Sequence, residues 1–496
     1  MADRALSRRL RIALGVVLLL LVVAGPPALY LLRTWTSDAP VEEPLPPGMI
    51  DDQSRLELTT VADVIQSADT ADASIPILRA ALARARTEGL KVSIGGARHS
   101  MGGQTIAPDG LFIDMTPLAS MTLLDDHILR VGSGAIWRDV VPFLDARGRS
   151  PAVMQSDNDF SVGGSVSVGA HGWQTWRPPI GATVKAMRVM TPDGQVQWCS
   201  RSKHTALFRH VLGGYGLFGI ILELDLETAP NARYRIEARE APLAEIVAEF
   251  PARGRHDPAI GMSYARLDIR KGSLFDTGLI THFKIEPTPA DGLPAARAPG
   301  LAGLRRAVFR GSVGSDYGKR LRWNMERVNL LAANGKATTR NTQLSDTSQV
   351  VIGYERHYTD ILHEYFVPPE NAALFLAAVE ALVAEHEPDL LNITVRDVRR
   401  DEDAVLRYAP TDVTAFVMLF HQARTQEGET AMREFTRDVI DAALANGGRH
   451  YLPYRLHATP EQLRRAYPMW DAFVAEKRRR DPDELLVNRL WLTYAD

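Results

Sequence analysis

From about Thr60 onward, apolar residues recur along the chain with two alternating periods. Residues 75–88 (IPILRAALARARTE) space them three and four apart, which predicts an amphipathic helix. Val92-Ser93-Ile94 then reads as a strand running into glycines, and short apolar strands punctuated by Gly132 and Gly134 occupy 111–141. Residues 186–198 (AMRVMTPDGQVQW) hold two alternating runs around Pro192-Asp193-Gly194 and predict a hairpin. Strand-like runs return at 349–353, 364–368, 392–398 and 415–420, with helical patterns over 370–385 and 428–446. Between them, about 285–345 is polar, carries Pro287, Pro289, Pro294 and Pro299, and reads as a loop-rich insertion. There is no internal repeat. The pattern predicts an α+β chain: a glycine-rich domain over 60–230, a second sheet-and-helix domain over 231–448, and a C-terminal return over 449–496.

The first 36 residues follow neither period. Arg4, Arg8, Arg9 and Arg11 precede an uncharged stretch of 20 residues, 13–32, which Arg33 closes. At 1.5 Å per residue that stretch matches a bilayer core of about 30 Å. Arginines on its N-terminal side predict a single-pass anchor in the cytoplasmic membrane with the body outside, periplasmic in a Gram-negative cell. A cleaved signal peptide is the alternative, because Val22-Val23-Ala24-Gly25 offers small residues near a cut. Against it, Pro26-Pro27 follow at once and the apolar run continues to Leu32. Residues 37–59 read as a linker, whose Pro- and acid-rich part, Asp38 to Pro47 (DAPVEEPLPP), is expected to be extended and solvated.

Composition then removes several classes. The 496 residues are 45% hydrophobic and 24% charged, ordinary for about two or three globular domains and unlike a collagenous or disordered chain. The net charge is −3, and without residues 1–36 the body carries 52 basic against 59 acidic groups, so nothing argues for nucleic acid. A lone Cys199 excludes an intramolecular disulfide and a thiolate-built metal site, and reads as a buried apolar filler. The basic run Lys477-Arg478-Arg479-Arg480 is flanked by Glu476, Asp481, Asp483 and Glu484 and reads as a solvated helix end.

Three glycine clusters carry the chemistry. They are Gly95-Gly96-Ala97-Arg98-His99-Ser100-Met101-Gly102-Gly103, Val162-Gly163-Gly164-Ser165-Val166-Ser167-Val168-Gly169-Ala170-His171-Gly172, and Gly213-Gly214-Tyr215-Gly216-Leu217-Phe218-Gly219. Glycine lets backbone amides close on an anion, so several such loops in one domain suggest a wrapped diphosphate. The third cluster contains a literal G-x-G-x-x-G at Gly214, Gly216 and Gly219, but a dinucleotide fingerprint requires a helix after it. Here the next residues alternate (Ile220-Ile221-Leu222-Glu223-Leu224-Asp225-Leu226-Glu227), which is a strand, so that reading fails. No P-loop sequence is present.

The order of strand, GGxxHS, VGGxxxxGAHG and GGxGxFGI leading into an alternating strand resembles the PCMH-type FAD-binding domain of the vanillyl-alcohol oxidase superfamily. It is nearest the aldonolactone oxidase, alditol oxidase and decaprenylphosphoryl-ribose oxidase branch. The C-terminal Gly447-Gly448-Arg449-His450-Tyr451-Leu452-Pro453-Tyr454-Arg455, with Tyr467-Pro468, Asp481-Pro482 and Asn488, supports it. The resemblance implies an FAD domain in two parts and an α/β substrate domain with a mostly antiparallel sheet. It implies FAD held by Gly95, Gly96, Ala97, Arg98, His99 and Ser100 of the first loop, and by Gly163, Gly164, Gly169, His171 and Gly172 of the second. Gly219 and Asn488 complete the set, and Phe218 packs inward. His99 sits where many members bond covalently to the flavin 8α-methyl; packing beside FAD is the other reading. His171 is read as a structural hydrogen-bonding residue.

On the substrate side, strand alternation puts Asn392, Thr394 and Arg396 on one face and Ile393 and Val395 on the other. The resemblance places Arg396 near the flavin N1 edge, but relatives carry Glu where this chain has Thr394. It also places Glu364 facing the flavin, as orienter or proton acceptor for a substrate hydroxyl, and Tyr454 in the pocket. A structural Arg396–Glu364 ion pair is the alternative. The expected activity is oxidation of a CH–OH group of a sugar, polyol or lactone, with oxygen, a quinone or a periplasmic carrier as electron acceptor. Action on a lipid-linked sugar, or a flavin-binding module without catalysis, are the other two readings.

Overall fold

A computed structural model describes residues 13–14, 22, 24–38, 44–287, 292–353 and 355–496 of the chain. Residues 24–37 are helical (α1). A short antiparallel pair, β1 (Met49–Ile50) and β2 (Thr59–Thr60), leads into β3 (Asp63–Gln66), α2 (Ala71–Glu88), β4 (Val92–Gly95) and β5 (Leu111–Asp114). β3 and β4 flank β5 in parallel, and α2 buries Leu78, Leu82 and Ala85 as the crossover their direction requires. The chain continues through β6 (Met121–Leu123), β7 (Ile128–Gly132), α3 (Trp137–Asp145), β8 (Arg149–Pro151), α4 (Val162–Val168), β9 (Val184–Met190), β10 (Val196–Ser200), α5 (Thr205–Val211) and β11 (Ile220–Pro230). These strands form an antiparallel sheet in the order β10-β9-β11-β7-β6, with β8 on the far end of β11. The predicted hairpin is β9–β10, and the strand after Gly219 is β11, as the alternation required.

The second domain is one antiparallel sheet of eight strands. Its strands are β12 (Arg233–Pro242), β13 (Ile260–Leu267), β14 (Thr277–Glu286), β15 (Ala337–Thr339), β16 (Tyr358–Val367), β17 (Asp389–Val398), β18 (Val413–Ala423) and β19 (Arg449–His450), in the order β15-β12-β14-β13-β17-β18-β16-β19. Helices α6 (Leu243–His256), α10 (Ala372–His386) and α11 (Gln426–Ala445) cover one face with Phe250, Phe375, Phe435 and Val439. The opposite face looks into a cavity shared with the glycine loops. Helices α12 (Pro460–Ala466), α13 (Trp470–Arg480) and α14 (Arg489–Tyr494) return to the first domain, where Leu486 bridges to Val92.

Two expectations are corrected. The polar insertion is not loop-rich: it folds as α7 (Ala302–Arg310), α8 (Asp316–Ala333) and β15, followed by a four-residue helix, α9 (Arg340–Gln343), and its prolines stop at Pro299. Ser315 caps α8 by accepting from the Gly318 amide at 3.1 Å, and Gly318, Arg322 and Trp323 form its buried stripe. Residues 348–350 form a tight 3₁₀ turn and not a strand, because Thr347 accepts from the Gln349 amide and Ser348 is tied to Asp159.

The basic run at the end of α13 is neutralised internally: Arg479 and Arg480 pair with Glu476, and Arg478 with Glu484. Lys477 departs from the solvated reading, lying buried on Asp481 at 2.5 Å. Cys199 is buried, and burial pushes its thiol up to about 12. Among the described residues no helix is long and apolar enough to cross a membrane; eight residues of the predicted span 13–32 (15–21 and 23) lie outside them.

Candidate active site

A cavity of about 840 Å³ lies between the first glycine loop, the first turn of α4, the open face of the eight-stranded sheet and α7–α8. That is near the upper end of ordinary ligand sites. Gly95 to Ser100 all line it, with Gly163, Gly164, His171 and Gly219. A Cβ on Gly96 would meet Ser161 Oγ at 2.1 Å, and Ser161 Oγ in turn accepts from the Ala97 amide at 3.3 Å. The loop therefore closes on Ser161 only because position 96 has no side chain. The second cluster is not a loop in its first half: residues 162–168 are α4, whose early turn approaches Ser133 closely enough that a Cβ on Gly163 would lie 2.7 Å from its Cβ.

Around this cradle the buried hydroxyls of Ser100, Thr105 and Ser133 line the cavity without a hydrogen-bond partner among the described residues. Buried polar atoms are nearly always satisfied, so three orphans lining one cavity fit a polar ligand with many acceptors, as FAD is. Three residues expected here lie elsewhere. Gly169 caps α4 at φ +67° and its carbonyl accepts from the Tyr408 hydroxyl at 2.7 Å. Gly172 packs on the Met154 backbone, where a Cβ would stand 2.0 Å from the carbonyl oxygen. Asn488 is buried outside the cavity lining, its amide donating to the carbonyls of Gln104 (2.9 Å) and Tyr215 (2.8 Å) while it caps α14. Its work is to fasten the C-terminal return to the glycine loops.

His99 stacks on Phe160 with ring centres 4.0 Å apart, and its Nε2 lies 3.0 Å from the Asp159 carbonyl oxygen. A carbonyl only accepts, so Nε2 carries the proton and Nδ1 keeps the lone pair. Burial pushes the ring's pKa down, which preserves the neutral form.

The acid–base groups stand on the sheet. Register pairs Glu364 with Val417, Val417 with Thr394, and Thr394 with Arg266, so one row crosses four strands of the cavity face. Arg396 and Asn392 lie two residues either side on β17, as alternation predicted, while Ile393 and Val395 enter the core. Glu364 receives His171 Nε2 on Oε1 at 2.6 Å and the Tyr454 hydroxyl on Oε2 at 3.2 Å. Burial alone would raise the Glu364 pKa, but His171, Arg396 and Tyr454 outweigh it and hold the carboxyl below its ordinary value. Burial and the Glu364 charge push the Tyr454 phenol well up, so it stays a donor. Arg396 donates to Ser156 Oγ at 2.6 Å and its Nε has no partner among the described residues, which removes the reading as an ion pair with Glu364. His171, read from sequence as structural, is thus part of the carboxylate site.

Two groups were missed. Asp157 lines the cavity, and burial, reinforced by Asp159 and Asp346, pushes it up to about 7 despite Arg396 and Arg305. Its signal was the acidic Ser156-Asp157-Asn158-Asp159 directly before the second glycine cluster. The other is Glu326 on α8, whose carboxylate pairs with Arg266 at 3.2 Å and Arg322 at 2.7 Å. Burial opposes its ionisation, but the two arginines bring it down to about 2. Glu326 puts a carboxylate beside Arg266, the register partner of Thr394. A helical period over 316–333 would have shown it.

Residues 73–200 match the FAD binding domain family, and residues 316–495 match the D-arabinono-1,4-lactone oxidase family. The chain is 27% identical over 414 residues to L-gulono-1,4-lactone dehydrogenase of Mycobacterium tuberculosis strain H37Rv, covering 82% of this chain and 91% of that one. It is 36% identical over 152 residues to cytokinin dehydrogenase 4 of Arabidopsis thaliana, covering 28% of this chain and 29% of the relative. It is 32% identical over 184 residues to Arabidopsis cytokinin dehydrogenase 2, covering 36% of each. The chain thus spans only about a third of the cytokinin dehydrogenases it matches.

Proposed function

We propose that this chain is a PCMH-type FAD flavoprotein of the aldonolactone oxidase branch and that it oxidises the CH–OH group of a small sugar, polyol or lactone. Bound FAD supplies the hydride acceptor, at its N5. The protein's own part is positional and electrostatic. Glu364 takes the hydroxyl proton of the substrate, and its hydrogen bonds from His171 and Tyr454 keep it anionic and aimed. Arg396, half-buried with its Nε buried and without a partner among the described residues, supplies positive charge to the cavity, where it would stabilise negative charge on the bound cofactor once reduced. His99, neutral with Nδ1 free, is the side chain for covalent attachment.

The observation that carries this reading is the Glu364–His171–Tyr454 cluster on the same cavity face as Arg396. Thr394 in place of the relatives' Glu does not leave the wall without a carboxylate, because Glu326 stands on the neighbouring Arg266. We place the catalytic body outside the cytoplasm, held by 13–32, on the strength of the N-terminal arginines and the uncharged run. Anaerobic titration of the purified holoenzyme with sugars, polyols and aldonolactones tests the reading. Bleaching of the flavin absorbance by one class is the expected result, and oxygen or a quinone then restores it. No bleaching by any hydroxylated substrate would overturn it.

A further inference from the structure

The cavity opens to solvent at one place. Of all the residues lining it, only Gly300, Leu301 and Asn329 are exposed, so its mouth lies between the start of α7 and the C-terminal half of α8. That mouth stands beside α1. Tyr30 donates to the Gly311 carbonyl at 2.6 Å and packs edge-on against Tyr317 at 5.0 Å. Trp35 lies against Gly303, two residues after Leu301, and Asp38 pairs with Arg306 at 2.7 Å.

Two independent features mark this side of the molecule. The first is apolar exposure. Outside the predicted span 13–32, five large apolar side chains of the described residues are more than half exposed, and three of them, Trp35 (55%), Leu301 (75%) and Val328 (62%), stand at this rim. On α8 the outward stripe Tyr317, Arg320, Asn324, Val328 and Leu331 follows helical spacing. Scattered exposed apolar residues need no explanation, but a cluster around a cavity mouth does. The second feature is charge. Residues 292–336 hold nine Lys or Arg against Asp316 and Glu326, a local +7 in a chain whose total is −3. Most of these cations pair internally, but Arg297, Arg320 and Lys336 are exposed and have no ion pair among the described residues.

We propose that this rim, made by α1, α7 and α8, rests on an anionic phospholipid surface, so that the active-site cavity opens at the lipid–water interface. Exposed Trp and Leu between unpaired basic residues is the composition that buries its apolar side in the headgroup region while the cations meet lipid phosphates. The rest of the body, with its excess of acid, is held off the same surface. The cavity wall just inside the mouth is formed by Leu304, Val308, Met325 and Leu330, so the passage from lipid to sheet is apolar before it becomes ionic at Arg266 and Glu326. This inference adds to the reading of the active site and does not depend on it.

Site-directed fluorescence on the full-length holoenzyme tests it. Native Cys199 is buried, so an environment-sensitive thiol probe reports only from an introduced cysteine. Val328→Cys reports the rim; Leu374→Cys, equally exposed on α10, is the control. With phosphatidylcholine vesicles containing phosphatidylglycerol and a lipid-borne quencher, the probe at 328 is expected to shift to the blue and be quenched, and the probe at 374 to do neither. Quenching at 328 should fall at least about fivefold in pure phosphatidylcholine, and equally on changing Arg297, Arg320 and Lys336 together to Glu. The proposal is overturned if both probes respond alike, if neutral and anionic vesicles give the same signal, or if position 328 is already shielded without lipid.

Discussion

The Nε2 of His171 stands 2.6 Å from Oε1 of Glu364, both side chains are buried, and the other carboxylate oxygen is taken by Tyr454. A carboxylate bonded on both oxygens stays ionised at lower pH than a free one, so Glu364 is unprotonated and able to accept a proton throughout the neutral range. Glu364→Gln keeps the shape and removes the charge, and steady-state turnover is expected to fall by about 10² to 10⁴ with flavin content unchanged. Tyr454→Phe removes one hydrogen bond to that charge, with an expected loss of about tenfold. The pH sign follows from the depressed pKa: the stability this pair contributes is present above the ordinary Glu value of 4.5 and is lost as pH falls through the lower folded value. Turnover of the two variants, with flavin-to-protein absorbance as the loading control, checks the first two, and thermal midpoints of wild type and Glu364→Gln against pH check the third.

The His99 ring is held so that its unprotonated nitrogen is Nδ1, and Phe160 fixes its plane. Acid-precipitated wild-type protein is therefore expected to retain flavin fluorescence in the pellet, and His99→Ala to release all of it to the supernatant. Free flavin from the wild type would show that His99 only packs beside the cofactor.

At Gly96 an added methyl group meets Ser161 Oγ at 2.1 Å and Ser161 Cβ at 2.8 Å, and Ser161 cannot withdraw without dropping the Ala97 amide. Gly96→Ala is expected to fold with its sheets intact but to bind flavin at least about tenfold more weakly. A lower flavin-to-protein ratio with an unchanged far-ultraviolet circular dichroism spectrum is the check. Its thermal midpoint should fall as well, because cofactor binding stabilises only the folded state.

How much of this was legible in the sequence depended on how local each signal was. Alternation after Gly219 identified β11 and removed the false dinucleotide motif, because a period of two is visible in eight residues. The faces of Asn392, Thr394 and Arg396 were readable for the same reason. The helices α7 and α8 were hidden because four prolines at 287–299 coloured the whole segment, though residues 300–345 are free of them. Glu326 beside Arg266, and His171 against Glu364 193 residues away, are pairings of the tertiary fold that no local pattern records. Glycines misled in a different way: Gly169 and Gly172 are required by backbone turns and close packing, which use the same residue type as a phosphate cradle.

Asp157 gives the clearest pH test. Its carboxyl faces the cavity with Asp159 and Asp346 nearby, and burial with those charges raises its pKa from 3.8 to about 7. Below 3.8 the folded and unfolded states are both protonated there and the group does not affect stability. Between 3.8 and about 7 the unfolded state is ionised while the folded state still holds the proton, so folding is progressively penalised as pH rises, and the penalty is complete above 7. Asp157→Asn has no such group to ionise. Its stability relative to wild type is expected to be unchanged near pH 4 and to improve by on the order of 2 kcal/mol by pH 8, allowing for water in the cavity. Thermal midpoints of both proteins across that range provide the measurement. A difference that does not grow with pH would mean that the Asp157 carboxylate is stabilised in the folded state, with Arg396 and Arg305 outweighing burial.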